Sequence, residues 1–451
     1  MSKNDQIENN LVPIDNKDAG SASNFTSERG EKNKLFGENV KGSLRDFGIS
    51  VAATVIGNVA KQGMSLAGKV LEEAGQKSDK TFGERMKEEL ISHGWGLVDK
   101  LDDDLGDRQR EFEANLQDNL SDRFGSGFGE FASATNNIIN RQTAMQVARN
   151  MRQTMENSDT KRDAGLVIPE DIRSFTDIRY GADPRWNLLD VYRPYDQDGK
   201  GGELKKIPVI VNVHGGAWIY GDKETYRFYC AGLAQRGFAV INYSYRLAPE
   251  HRFPCALIDT NNVFFWLSEH SDQYGLDLNN IFIMADSAGA NIAGQFICML
   301  INKEYAANFD FRPPEGIKIN AAAFNCGAYD PLKFMGEKEL MKGLVTQDET
   351  PIRSGILNVS DYINEAFPPV YLMSCVGDFC FKFLEPMKEA LNRYGIEHLT
   401  KIYGSEEEPL FHVFHLTVGD DLAEEVNDRE CSFFKNYIKR SRKQNVKHAA
   451  Q

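Results

Sequence analysis

The sequence predicts an α/β fold with a mostly parallel central sheet flanked by helices, preceded by a separate helical and disordered N-terminal extension. Three observations carry this. Beyond Val167, short β-branched and apolar runs alternate with helical stretches, the texture of a parallel sheet covered on both faces. All seven cysteines lie after residue 229 and 14 of the 15 prolines after residue 168, so the composition breaks near residues 158–168. And 451 residues, 41% hydrophobic and 26% charged, suffice for one large core plus an appendage.

Taken in order, residues 1–40 are rich in Asn, Asp, Lys, Ser and Gly, bury too little apolar surface to offset their ordering entropy, and are expected to be a disordered tail. Residues 41–165 form a helical extension. From Asp46 to Leu71 the residues Ile49, Ala53, Ile56, Ala60, Met64, Ala67 and Leu71 recur at the helical period. Further helices are expected at Thr81–Asp103, Arg108–Asp122 and Phe131–Asn157. Residues 166–442 form the main domain and 443–451 a tail. Arg173–Arg179 and Leu188–Tyr192 read as an antiparallel leading edge, and Ile207–Val213, Phe238–Tyr243, Ile281–Met284, Ala321–Asn325 and Val370–Cys375 as further strands. Glu224–Arg236, Ala256–Glu269 and Ala288–Asn302 read as the helices between them, and residues 331–366 break the rhythm as a helical lid insertion.

A net charge of −14 repels phosphate backbones and anionic lipid, so nucleic acid is not an expected partner. No run reaches 18 apolar residues; the best, Ile49–Leu71, is interrupted by Asn58, Lys61, Gln62 and Lys69. Membrane association is not expected either, because the Asp46–Leu71 helix lacks Trp and has few cations on its polar face. Its apolar stripe fits a homo-oligomer or a helical partner. The polar N-terminus lacks an apolar signal core, which points to a cytoplasmic protein. Seven cysteines, an odd number with no C-x-x-C pair, read as reduced buried thiols.

The chemistry sits in two stretches. Ile-Phe-Ile-Met-Ala-Asp-Ser-Ala-Gly-Ala-Asn, residues 281–291, is a buried strand, a tight turn with Ser287 at its tip, and an apolar helix. Such a turn strains the serine backbone, exposes its hydroxyl, and aims the Ala288 N–H at developing negative charge. Ala285 stands where glycine is usual, one methyl more than the pattern requires. Val-Asn-Val-His-Gly-Gly-Ala-Trp, residues 211–218, follows an apolar strand. The N–H groups of Gly215, Gly216 and Ala217 are expected to face the space above Ser287 and to form an oxyanion hole with Ala288. His214 precedes that loop and reads as a structural hydrogen-bonding residue.

With Tyr-Arg-Leu-Ala-Pro-Glu-His-Arg-Phe-Pro at residues 245–254, these motifs make residues 176–439 resemble the α/β-hydrolase fold, and within it the hormone-sensitive-lipase-like serine esterases. The resemblance covers about three-fifths of the chain. It implies the order serine, acid, histidine. The acid is then Asp378, past the end of the Val370–Cys375 strand, with Asp330 as competitor. The base is His412, in a His-Val-Phe segment where the family has His-Gly-Phe, with His415 as the lesser candidate. The family implies a carboxylesterase acting on small-molecule esters of short acyl chains, acetylated sugars among them, with no metal and no organic cofactor. The alternatives are a hydrolase-fold binding protein without turnover and a lipase. Since every one of these groups comes after residue 200, a chain beginning near Asp159 is expected to keep its turnover.

Overall fold

The computed structural model describes residues 144–146, 148–195, 204–331 and 355–439. The 1–40 tail, the Asp46–Leu71 helix, the next two helices of the extension, residues 332–354 of the expected lid and the 443–451 tail lie outside the described residues. The chain divides into two compact units, and the one holding the sheet takes in the chain from Ala148. Its first helix, α1 (148–162), belongs to the segment the sequence assigned to the extension.

Eight strands form one sheet in the order β1-β2-β4-β3-β5-β6-β7-β8. They are β1 (Ile172–Arg179), β2 (Leu188–Pro194), β3 (Ile207–Val213), β4 (Ala239–Tyr243), β5 (Leu276–Asp286), β6 (Ile319–Asn325), β7 (Val370–Cys375) and β8 (His398–Tyr403). The β1–β2 and β2–β4 pairs are antiparallel, and the remaining pairs are parallel. The expected leading edge and parallel core are both present. Strand β8 and two helices, α5 (Leu384–Arg393) and α6 (Asp421–Lys435), complete the fold where the sequence reading placed no element.

Alternation along each strand sends side chains to opposite faces. Val209, Val211, Val213, Ile281 and Ile283 enter one apolar cluster with α3 (Cys255–Tyr274) and α4 (Ala288–Ile301). Ile210, Phe282 and Met284 enter the other, with α2 (Arg227–Gln235) and α6. Helix α4 is buried almost all round, from Ala288 to Met299, as expected of a helix apolar on every side. The end of the expected lid is not a loose cover. Leu357 and Val359 are buried, and the Asn291 side chain on α4 donates to Leu357 O at 2.9 Å. This stretch is packed on α4 because its backbone satisfies a buried amide that would otherwise be costly.

Phe282 stacks on Phe434 of α6 at 4.8 Å and meets Phe238 edge-on at 5.9 Å. Phe282→Ala should cost about 3–5 kcal/mol of stability, read as a lower urea midpoint. An unchanged midpoint would mean that α6 does not dock on β5 as described.

Candidate active site

Strand β5 ends at Asp286 and α4 begins at Ala288, so Ser287 alone makes the turn between them. It does so at φ 51° and ψ −121°, a region that non-glycine residues rarely occupy. Three hydrogen bonds hold it there. Its N–H donates to Asn325 O at 2.9 Å, and its carbonyl accepts from Ala290 N at 3.2 Å and Ala328 N at 3.0 Å. A Cβ at Gly289 would collide with Val213 O and His214 O, so helix and strand backbones touch there and only glycine fits. Ala285 is 1% exposed between Val213 and Phe324 of the adjacent strands, and its extra methyl is accommodated.

His412 brings the other two expected residues together. Its Nε2 lies 2.8 Å from Ser287 Oγ, and its Nδ1 lies 2.7 Å from Asp378 Oδ1. Asp378 also accepts from Cys380 N–H and from Ser374 Oγ, each at 2.8 Å. Burial alone would raise the Asp378 carboxyl, but His412 and these donors hold it below its usual value. Burial alone would lower His412; Asp378 and Cys326 together outweigh that and raise it. Asp378, not Asp330, therefore meets the imidazole. His415 is fully buried, and among the described residues neither ring nitrogen has a hydrogen-bond partner. Burial, then the charges of His412 and Arg162, push it down to about 3. It packs edge-on against Tyr229 at 5.5 Å and does not reach Ser287 as the pairing partner.

The glycine loop requires one correction. Gly215 N–H donates to Tyr226 Oη at 3.0 Å, and Tyr226 Oη donates on to Asp286 Oδ2 at 2.8 Å. Its amide is thus already taken by Tyr226 and is not free to serve as an oxyanion donor. Gly216 at φ 110°, Ala217 at φ 52° and Trp218 at φ 61° follow in left-handed backbone. Among the described residues no protein acceptor takes the N–H of Gly216 or Ala217. The Ala288 N–H, first in its helix, has no intrahelical partner. His214 is structural, as expected: it stacks on Tyr245 at 4.0 Å, its Nδ1 contacts Gly215 O at 2.7 Å, and burial lowers it to about 4.

Three features went unread in the sequence. Asp286, pushed up to about 7 chiefly by burial, supports the loop through Tyr226; its place just before the serine was the available signal. Cys326, at φ 49°, accepts from the Val413 N–H at 3.5 Å, and Val413 itself sits at φ 55° and ψ 32°. That left-handed position explains the glycine usual in this segment. Arg152 of α1 reaches the loop end and had no local signal at all. One cluster among the described residues could hold a cation, Cys326, Asp378 and His412, with ligand atoms within 4.8 Å of one another. The first contact within it is the Asp378–His412 hydrogen bond.

The family model described as BD-FAE matches residues 189–379, from β2 through the Asp378 turn. Esterase LipC of Mycobacterium tuberculosis is 31% identical over 156 residues, 34% of this chain and 36% of its own. Esterase LipQ of the same organism is 26% identical over 236 residues, 49% of this chain and 54% of its own. The chain has the α/β-hydrolase fold and is similar in sequence to esterases. This α/β-hydrolase thus spans about a third to a half of the length of the curated relatives it matches. Esterase B of Lactobacillus rhamnosis superposes with a TM-score of 0.60 at 24% identity, over 69% of this chain and 99% of that one, a likeness of fold. Versiconal hemiacetal acetate esterase of Dothistroma septosporum is 33% identical over 105 residues, 23% of this chain and 31% of its own.

Two glycines should respond oppositely to alanine. Gly289→Ala should destabilise by about 1–3 kcal/mol through overpacking. Gly232→Ala, inside α2 where a Cβ meets only Arg236 Nη1 at 3.6 Å, should stabilise by about 0.4–1 kcal/mol. Urea midpoints of the pair check the close approach at the turn; equal shifts would refute it.

Proposed function

We propose that this α/β-hydrolase is a serine carboxylesterase hydrolysing short-chain acyl esters through an acyl-enzyme. The observation that carries this is the continuous hydrogen-bonded line Ser287 Oγ, His412 Nε2, His412 Nδ1, Asp378 Oδ1 at 2.8 and 2.7 Å, at the tip of a strained turn. Neutral His412 takes the Ser287 proton as Oγ attacks the ester carbonyl. The carbonyl oxygen gains charge where the Gly216, Ala217 and Ala288 N–H groups are available to receive it. His412 then passes the proton to the leaving alkoxide, which departs as the alcohol. Water, deprotonated by the same imidazole, attacks the acyl-enzyme and releases the acid and Ser287. Asp378 fixes the tautomer that presents Nε2 to Ser287 and stabilises the imidazolium that forms.

Short acyl chains, acetyl to butyryl, are the expected substrates, acetylated sugars among them. An acetate esterase among the relatives is in keeping with this. A specificity constant that climbs steadily from acetyl to palmitoyl p-nitrophenyl esters would replace the reading with a lipase.

Ser287→Ala, Asp378→Asn and His412→Ala should each lower kcat by about 10³-fold or more, and the triple variant should be little worse than the worst single one. His415→Ala should keep most of the activity, although it loses packing. A dead His415→Ala beside an active His412→Ala would reverse the choice of base.

The pH profile has a defined sign. Asp378 favours the charged imidazole, so the folded His412 holds its proton above the ordinary value of 6.5. The reaction needs the neutral ring, so kcat/KM should rise with pH through an apparent pKa above that value. Asp378→Asn should shift this limb to lower pH while depressing the plateau. A limb that stays in place would show that another group controls it.

A further inference from the structure

Helix α1 carries no group of the proposed chemistry, yet one of its side chains ends on the oxyanion loop. Arg152 Nε donates to Ile219 O at 2.6 Å, and its Nη2 donates to Ala248 O at 2.7 Å. Its fork also pairs with Glu250, with Nη1 at 2.8 Å and Nη2 at 2.7 Å from the two carboxylate oxygens. The Ala248 N–H in turn donates to Trp218 O at 2.9 Å. One guanidinium therefore bridges the exit of the glycine loop and the Leu247–Glu250 loop beside it. Two lesser contacts from the same segment land next to these: Tyr220 Oη donates to Asp159 at 2.8 Å, and Arg162 Nη2 donates to Thr225 O at 3.0 Å.

The loop needs such support. Gly216, Ala217 and Trp218 are consecutive left-handed residues, and two of them are not glycine. Backbone of that kind persists only where its surroundings over-determine it. Inside the loop, the Ile219 and Tyr220 N–H groups both turn back onto Gly216 O, at 3.0 and 2.9 Å. This fixes the turn but not its placement over Ser287. A planar fork making bonds in several directions supplies placement, which a lysine ammonium does with less geometric constraint.

We infer that Arg152 is a positioning residue for the oxyanion loop, so that the segment before the sheet sets the rate of the reaction without touching substrate. The inference rests on the esterase reading for its kinetic consequence, though not for the clamp itself. It changes the expectation for a chain beginning near Asp159, which lacks Arg152 and should turn over more slowly.

The test compares wild type, Arg152→Ala and Arg152→Lys in the full chain. Arg152→Ala should lower kcat by about 10- to 100-fold, less than the loss of an oxyanion donor outright, with KM within about threefold. Methylguanidinium should restore part of the rate to Arg152→Ala and none to wild type, and Arg152→Lys should fall between the two. Hydrogen–deuterium exchange of residues 216–221 should quicken in Arg152→Ala while β5 keeps its protection. A kcat within twofold of wild type overturns the inference, as does a rate loss with no methylguanidinium rescue and no local change in exchange. Should Arg152→Ala not fold, Arg152→Lys carries the same comparison. If the wild type hydrolyses no ester, the esterase reading fails, and the exchange arm still decides the clamp.

Discussion

A serine held at φ 51° and ψ −121° would relax if it could, since such a conformation costs of order 1–3 kcal/mol. What prevents it is the parallel sheet. The Ser287 N–H is tied to Asn325 O at the end of the neighbouring strand, and its carbonyl is tied to Ala328 N just beyond. Strands β5 and β6 therefore grip the turn from one side, while the Gly289 contact with the end of β3 closes it from the other. The glycine loop leaves β3 at the same level, and the Asp378 turn leaves β7. These groups converge because parallel strands end on one edge, where an open α/β sheet places its ligands.

Burial then sorts the ionisable groups by charge. Chiefly through burial, Asp286 is pushed up to about 7 and Glu430 to about 8, while His415 is pushed down to about 3. All three are driven toward their neutral forms. Asp378 is buried too, but it departs from this pattern because it accepts from Cys380 N–H, Ser374 Oγ and the His412 ring. The charge beside Ser287 is placed by those donors rather than by exposure to water.

What the sequence made legible was local. The Ser287 turn and the glycine loop announce themselves because steric need acts within a few residues, and a buried strand must be apolar whatever surrounds it. The parallel core was readable for the same reason. Strand β8 was not: as an edge strand with one neighbour, it is buried only at its first two residues and shows no alternation, His-Leu-Thr-Lys-Ile-Tyr. Helix α6 hides Val426, Phe433 and Phe434 among seven acids and bases, so its apolar face is thin in sequence and decisive in space. Gly215 was misjudged because its amide is claimed by Tyr226, eleven residues on and in another element. Arg152 was unreadable in principle, since its acceptors lie 67 and 96 residues away.

The histidine loop shows how such distant support replaces a local solution. Glycine would take φ 55° at position 413 freely, whereas a β-branched valine is strained there. The chain holds it by packing and by thiols. Val413 lies against the apolar cluster on the α6 side of the sheet, and its N–H points at Cys326 Sγ. Cys375 Sγ reaches Leu410 O at 3.4 Å and Phe411 O at 3.3 Å, the two residues before His412. A thiol is a small, weakly polar group that fills apolar space while offering one soft donor and one weak acceptor. Two of them can therefore line the underside of the loop without demanding water. The loop that carries His412 is held in this conformation by what lies beneath it, where a glycine would have made it merely permissible.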